Sequence, residues 1–200
     1  RFTLYNMSIP ILTACVWIYM YFVICKAGKT YYIGVVGPWG GFYAAGKHSA
    51  GAIPIVLEHV RLDNVTFYEI NRAGYEFKYA WTDTNCDPSV GLPGVADLLY
   101  GRSTFGTEID VIIGAVCSAV CEPVGHLATY MNVPMVPFSC YSDLLSDKSI
   151  YPTLARTTGP VSYMAPVYAS IMLTYGYKRV AIFSGTEPFY TVLATKTRKH

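Results

Sequence analysis

The sequence has 200 residues, 52% of them hydrophobic and 14% charged, with a net charge of +2. That length holds one good core, or one domain and part of another, and so small a two-signed charge excludes the basic field of a nucleic-acid binder. The only basic cluster, Lys196, Arg198 and Lys199, reads as a solvated tail.

From Ser8 to Ile24 the chain is nearly free of charge, and Cys25, Lys26, Ala27 and Gly28 follow. An apolar run of this length with small residues at its end fits a secretory signal better than a spanning helix, so residues 1–28 are assigned as a signal peptide, with a membrane anchor as the alternative. The sequence begins with Arg1, so it reads as a fragment whose start is Met7 or lies upstream.

The first strand is Tyr31 to Val36, which runs into the turn GPWGG. Ile53, Val56, Leu57 and Val60 form one face of a helix that Pro54 is expected to bend. Asn64-Val65-Thr66 is a glycosylation sequon at Asn64. Tyr75 to Trp81 alternates as a second strand. Residues 82–94 read as a loop holding Cys86, and Val95 to Tyr100 as a second, short helix.

The centre of the chain is Ile109 to Ala155. Ile109 to Ile113 is a β-branched run ending in Gly114, after which Val124, Leu127, Ala128 and Met131 recur at helical spacing. Asn132 and Pro134 stop that helix, and Val133 to Phe138 resumes an extended run. Strand, helix and strand of these lengths make a right-handed βαβ unit, so the sheet is parallel and buried on both faces. Gly159-Pro160 reads as a crossing to another lobe. Beyond it Met164, Val167, Tyr168, Ile171 and Tyr175 have helical spacing, and Arg179 to Phe183 reads as a further parallel strand. Residues 29–158 are therefore assigned as a first lobe and 159–200 as the start of a second, in an α/β class.

Two catalytic patterns fail on inspection. Gly41 to His48 matches G-x-x-x-x-G-K, but His48 stands where the phosphate loop needs Ser or Thr for magnesium, and Asp110 starts a strand rather than ending one. Cys117 and Ser118 follow a strand as in a nucleophile elbow, yet G-x-S-x-G is missing and His126 has no orienting acid placed by sequence. Histidines 48, 59, 126 and 200 do not make a metal set.

Without the leader's Cys15 and Cys25, the cysteines are Cys86, Cys117, Cys121 and Cys140, an even number that allows three pairings. Cys117 and Cys121 are poor partners for each other. Joining Cys86 to Cys117 and Cys121 to Cys140 would brace the carboxyl ends of the parallel strands, each bridge worth roughly 3 kcal/mol in the chain-entropy model. Open α/β sheets bind ligands at that edge. There a helix N-terminus near residues 114–118 offers free amides, and Trp39, Ser118, Ser139 and Tyr141 are the candidate ligand-cleft residues. Packing of the rim, or a dimer face, is an equally good use of such side chains.

The segments GPWGGFYAAGKHSAGAIPIVLEHV, WTDTNC, DVIIGAVCSAVCEPVGHLATYMNVPMVPFSC and LSDKSIYPTLARTTGP closely resemble the extracellular ligand-binding region of receptor guanylate cyclases, an ANF-receptor-like family. The likeness runs from about Tyr31 to Phe183 and is greater to the invertebrate and sensory-type branch than to the vertebrate natriuretic peptide receptors. The resemblance implies a two-lobed periplasmic-binding-protein type I fold, a glycosylated homodimer at the cell membrane, and an extracellular peptide or small-molecule ligand. It assigns Cys86–Cys117 as the family's first disulfide and Cys121–Cys140 as its second. It further implies one membrane span and a cyclase domain that makes cyclic GMP from GTP with Mg or Mn, none of it within these residues.

Some relatives hold chloride beside the first bridge with the amides of a Gly-Cys pair. Here Val116 stands in that glycine's place, and Gly114-Ala115-Val116 replaces the usual Gly-Pro before the cysteine. The rival expectations are the ectodomain of a metabotropic-type G-protein-coupled receptor and a free soluble binding protein.

Overall fold

The computed structural model describes residues 28–40, 47, 49–186 and 188–199. The proposed leader up to Ala27, the Gly41–His48 motif apart from Lys47, and His200 lie outside them. In chain order the elements are β1 (Thr30–Gly37), α1 (Ala52–Leu62), α2 (Tyr68–Arg72), β2 (Glu76–Asp83), α3 (Pro88–Leu99), β3 (Val111–Gly114), α4 (Ser118–Tyr130), β4 (Met135–Val136), α5 (Met164–Thr174) and α6 (Pro188–Thr197). Two short 3₁₀ turns, Asp143–Ser146 and Val161–Tyr163, lie between β4 and α5.

Among the described residues one sheet forms, in the order β2-β1-β3-β4. β1 pairs with β3, and β3 with β4, both in parallel. A parallel sheet covered by helices suits the β-branched runs TYYIGVVG and VIIG. The sheet is less fully covered than the sequence suggests, because β2 is an edge strand of which Ala80 alone is buried. Among the described residues, no helix is long and apolar enough to cross a membrane.

The chain divides into two compact units. The smaller comprises residues 1–31 and 53–77. In its described part Pro54 falls in the first turn of α1, where a missing N–H forfeits no intrahelical bond, so the helix continues to Leu62. Tyr31 packs edge-on against Tyr75 and stacks on Phe77.

The larger unit, residues 32–52 and 78–200, holds the core. Val36, Val95, Leu99, Ile112, Val120, Val124 and Met135 are fully or almost fully buried there, where α3 and α4 cover the sheet. In α4 the stripe Val124, Ala128 faces this core, and Asn132 in the left-handed region ends the helix. Gly114 has φ 114°, and a Cβ there would sit 1.9 Å from the carbonyl oxygen of Val36. Only glycine lets β3 turn into α4 at that point.

Three expected boundaries move. The second helix begins at Pro88, seven residues before Val95, with Asp87 as N-cap and Pro88 at the first helical position, where proline is favoured. The ladder of the run from Val133 to Phe138 is confined to Met135 and Val136, and Met135 also pairs in parallel with Leu154. Arg179 to Phe183 does not form a strand. Among the described residues it has no ladder partner, and Phe183 is 95% exposed. An extended apolar segment becomes a strand only when a neighbour takes its backbone hydrogen bonds.

Candidate functional site

The carboxyl ends of the four strands carry the candidate site. β1 leaves the sheet through Gly37-Pro38-Trp39-Gly40. The Trp39 and Gly40 amides donate to the two carboxylate oxygens of Asp83, each at 2.9 Å, and the Trp39 indole Nε1–H donates to the Thr82 carbonyl at 2.8 Å. β2 is held beside it by the Thr84 amide, which donates to the Gly37 carbonyl at 3.0 Å. Trp39 is thus fixed with its one side-chain donor used, and it offers the rim a ring face set edge-on to Trp81.

After Asp83 the chain turns through Asn85 and Cys86, two consecutive non-glycine residues with positive φ. This turn brings Cys86 to Cys117, and the two are disulfide-bonded with their Cα atoms 5.4 Å apart. Cys121 is bonded to Cys140 across 6.3 Å, both fully buried. One cystine therefore ties β2's end to the start of α4, and the other ties the same helix to the loop after β4.

Cys117 is the N-cap of α4 and supplies no side-chain cap, so first-turn amides remain for an acceptor. Ser118 is not a free nucleophile. Its hydroxyl accepts the Tyr141 amide at 3.2 Å, which joins these two candidates in one contact. Ser139 is half-buried one residue before Cys140. Trp39 belongs to the β1–β2 end of the rim, whereas Ser118, Ser139 and Tyr141 belong to the β3–β4 end.

Two residues that the sequence reading passed over hold this rim. Asp83 is one. The other is Arg156, whose guanidinium donates to the carbonyls of Cys140 at 3.0 Å and Ser142 at 2.7 Å and also reaches the Ser146 hydroxyl. Burial pushes the Arg156 guanidinium below its usual value, while the charge of Asp143 acts in the opposite sense.

Tyr141 also lines a recess of about 460 Å³ with Gly159, Pro160, Tyr163, Met164 and Tyr168. That size falls in the range of small-molecule sites, and its lining is aromatic and apolar. Met164, Val167 and Tyr168, which have helical spacing in the sequence, lie on α5 and are exposed there.

His126 plays no part at the rim. It is exposed on α4 and its Nε2 meets the Tyr151 hydroxyl at 3.1 Å. Burial raises the Tyr151 phenol above its usual value, with Glu122 adding to the shift. Among the described residues no group of His, Cys, Asp and Glu could hold a metal ion. Val116, which stands where some relatives have the glycine of a Gly-Cys pair, is buried at 7% exposure.

Residues 65–192 match the ANF-receptor family, described as the receptor family ligand binding region. The resact receptor of Arbacia punctulata is 30% identical over 157 residues, which are 76% of this chain and 14% of that protein. A receptor-type guanylate cyclase of Caenorhabditis elegans is 29% identical over 107 residues, 52% of this chain and 9% of that one. The gamma-aminobutyric acid type B receptor subunit 1 of Mus musculus is 25% identical over 163 residues, 82% of this chain and 16% of its own length.

The chain thus spans less than a fifth of each of these relatives. A solved solute-binding protein of an ABC transporter from R. palustris, in complex with 4-hydroxybenzoate, superimposes with a TM-score of 0.69 at 19% identity, over 86% of this chain and 43% of that one. This likeness establishes the fold, a periplasmic-binding-protein type I arrangement.

Proposed function

The chain belongs to the receptor family of ligand-binding regions, and from that premise we propose that it is the amino-terminal extracellular part of a receptor guanylate cyclase. On this reading residues 1–28 direct export, residues 29–158 form the first ligand-binding lobe, and residues 159–200 open the second. The family match, which takes in both cystines and the Tyr141 recess, is the observation that carries the proposal. Similarity to a receptor-type guanylate cyclase supports a cyclase output. No residue here is assigned to GTP, Mg or Mn, because that chemistry belongs to a cyclase domain further along the receptor.

The ligand is an extracellular peptide or small molecule taken at the strand rim, where unfilled helix amides and aromatic faces meet. The receptor is a homodimer at the cell membrane. Its rim is kept rigid by two cystines, by Asp83 and by Arg156, so that ligand binding moves lobes rather than loops. A second reading rests on the likeness to the type B receptor subunit: the same ectodomain attached to a seven-helix receptor.

The reading frame beyond His200 separates the two, together with a free binding protein. One span followed by kinase-like and cyclase motifs is the expected result. Seven spans, or a stop codon after a completed second lobe, would overturn it.

A further inference from the structure

The sequon Asn64-Val65-Thr66 has no proline at its centre or directly after it, where Phe67 follows. The structure sets the whole triplet in the turn between α1 and α2, outside any helix or strand. All three residues are exposed, Val65 at 90%. Asp63 closes this turn by accepting the Val65 amide at 2.9 Å and the Thr66 amide at 3.0 Å through Oδ1. These bonds and the Thr66 hydroxyl hold the Asp63 carboxyl below the usual carboxylate range, with the Thr66 amide contributing most.

Asn71 then fixes the Asn64 side chain. Its Nδ2 donates to Asn64 Oδ1 at 2.9 Å and to the Val60 carbonyl at 2.9 Å. The Asn64 amide is therefore held by its oxygen, and among the described residues nothing is bonded to its Nδ2. A group attached at Nδ2 would enter solvent without breaking a hydrogen bond of the turn.

We propose that Asn64 carries an N-linked oligosaccharide. In the transfer Asn64 Nδ2 attacks the anomeric carbon of a polyprenyl-diphosphate-linked oligosaccharide. The carbon–nitrogen bond forms, the bond from that carbon to the diphosphate oxygen breaks, polyprenyl diphosphate leaves, and the displaced amide proton passes to solvent.

The inference rests on the proposed export in one respect only: Asn64 must reach a lumen that holds the donor. Asn6-Met7-Ser8 is another triplet of the same kind and lies outside the described residues, so the readout has to resolve position. The full 200-residue chain, placed behind an added secretion signal, is translated with rough microsomes, and its delivery is scored separately by protease protection.

The expected result is an endoglycosidase-sensitive species with aspartate at position 64 after enzymatic release. Asn64→Gln and Thr66→Ala abolish that modification, and Thr66→Ser retains it. A protease-protected chain with Asn64 unmodified, or modified at Asn6 alone, overturns the proposal. Because delivery uses the added signal, that failure leaves the receptor reading to be judged by its own test.

Discussion

Asp83 receives the backbone of Trp39: the Trp39 amide donates to one carboxylate oxygen at 2.9 Å, and the next amide, of Gly40, donates to the other at 2.9 Å. Residues 43 and 44 positions apart thereby latch the ends of β1 and β2. A third amide, of Asn85, also donates to Asp83 at 3.0 Å. Removing the carboxylate strands three donors at a half-buried rim, and hydrogen bonds to charged groups contribute about 1.5–3 kcal/mol each in favourable cases. Water reaches the amides freed at this part-buried rim, so Asp83→Ala is expected to cost about 2–3 kcal/mol in total rather than the full sum, and Asp83→Asn less, because one acceptor oxygen remains. Urea unfolding followed by tryptophan fluorescence checks this. The midpoint should fall with an unchanged slope, and an unmoved midpoint would show that the latch carries no stability.

The two cystines should differ in what their loss costs. Loop closure over 31 residues favours Cys86–Cys117 slightly over the 19 residues of Cys121–Cys140; both fall near 3–4 kcal/mol in the chain-entropy model, with under 1 kcal/mol between them. Burial then decides the order. Cys121 and Cys140 are fully buried, whereas Cys117 is half-exposed. Serine at the buried pair adds two desolvated hydroxyls, at about 1–3 kcal/mol each where no partner is found. Paired Cys→Ser replacement at 121 and 140 should thus destabilise more than at 86 and 117, as read by denaturant midpoints of the oxidised variants. The reverse order would mean that loop entropy outweighs burial here.

How much of this was legible in the sequence depends on where each residue's partner lies. β1, β3 and α4 could be read because apolar runs and their bounding turns are local patterns. The first half of α3 could not, because Gly91, Pro93 and Gly94 look like a loop. The structure explains the glycines by packing: a Cβ at Gly91 would lie 2.9 Å from Val120, and one at Gly94 2.0 Å from the Thr82 hydroxyl. They permit α3 to lie close on α4 and on β2, which no local pattern can express. The strand expected at Arg179 to Phe183 failed for the opposite reason, since its pattern is local but a ladder is not. At the rim, Cys86, Cys117, Cys121 and Cys140 announced themselves by residue type. Asp83 and Arg156 did not, because their partners are backbone groups and carry no side-chain signature.

Arg156 tests whether that rim is held from below. Its Nη1 bonds the two carbonyls that flank Tyr141 while its Nη2 reaches the Ser146 hydroxyl, a spread over two nitrogens that a single ammonium cannot reproduce. Arg156→Ala should cost about 2 kcal/mol, and Arg156→Lys should recover only part of it. Limited proteolysis provides the local readout. Cleavage is expected between residues 141 and 147 in both variants and not in the parent, and equal resistance of all three would show that the cystine at Cys140 alone orders the loop.

Acid should destabilise the fold through its short carboxylate turns, and the sign follows from their titration. The Ser89 hydroxyl, then the Ser89 amide, hold Asp87 below the usual carboxylate range, and Ser149 does the same for Asp147 in the same order. A folded value below the unfolded one means that the unfolded chain takes up protons first as pH drops past about 4. The stabilisation is therefore complete above that pH and is lost as pH falls through the folded values. Asp87 is also the N-cap of α3, accepting the Ser89 amide at 2.8 Å. Asparagine caps nearly as well but does not titrate in this range. Asp87→Asn should thus leave the neutral-pH melting temperature almost unchanged while flattening its decline below about pH 4, and Asp87→Ala should lower it at every pH. Adding Asp147→Asn should flatten the decline further, and Glu58 and Asp63, which are also held low, contribute in the same sense. A decline as steep in Asp87→Asn as in the parent would place the acid sensitivity elsewhere in the chain.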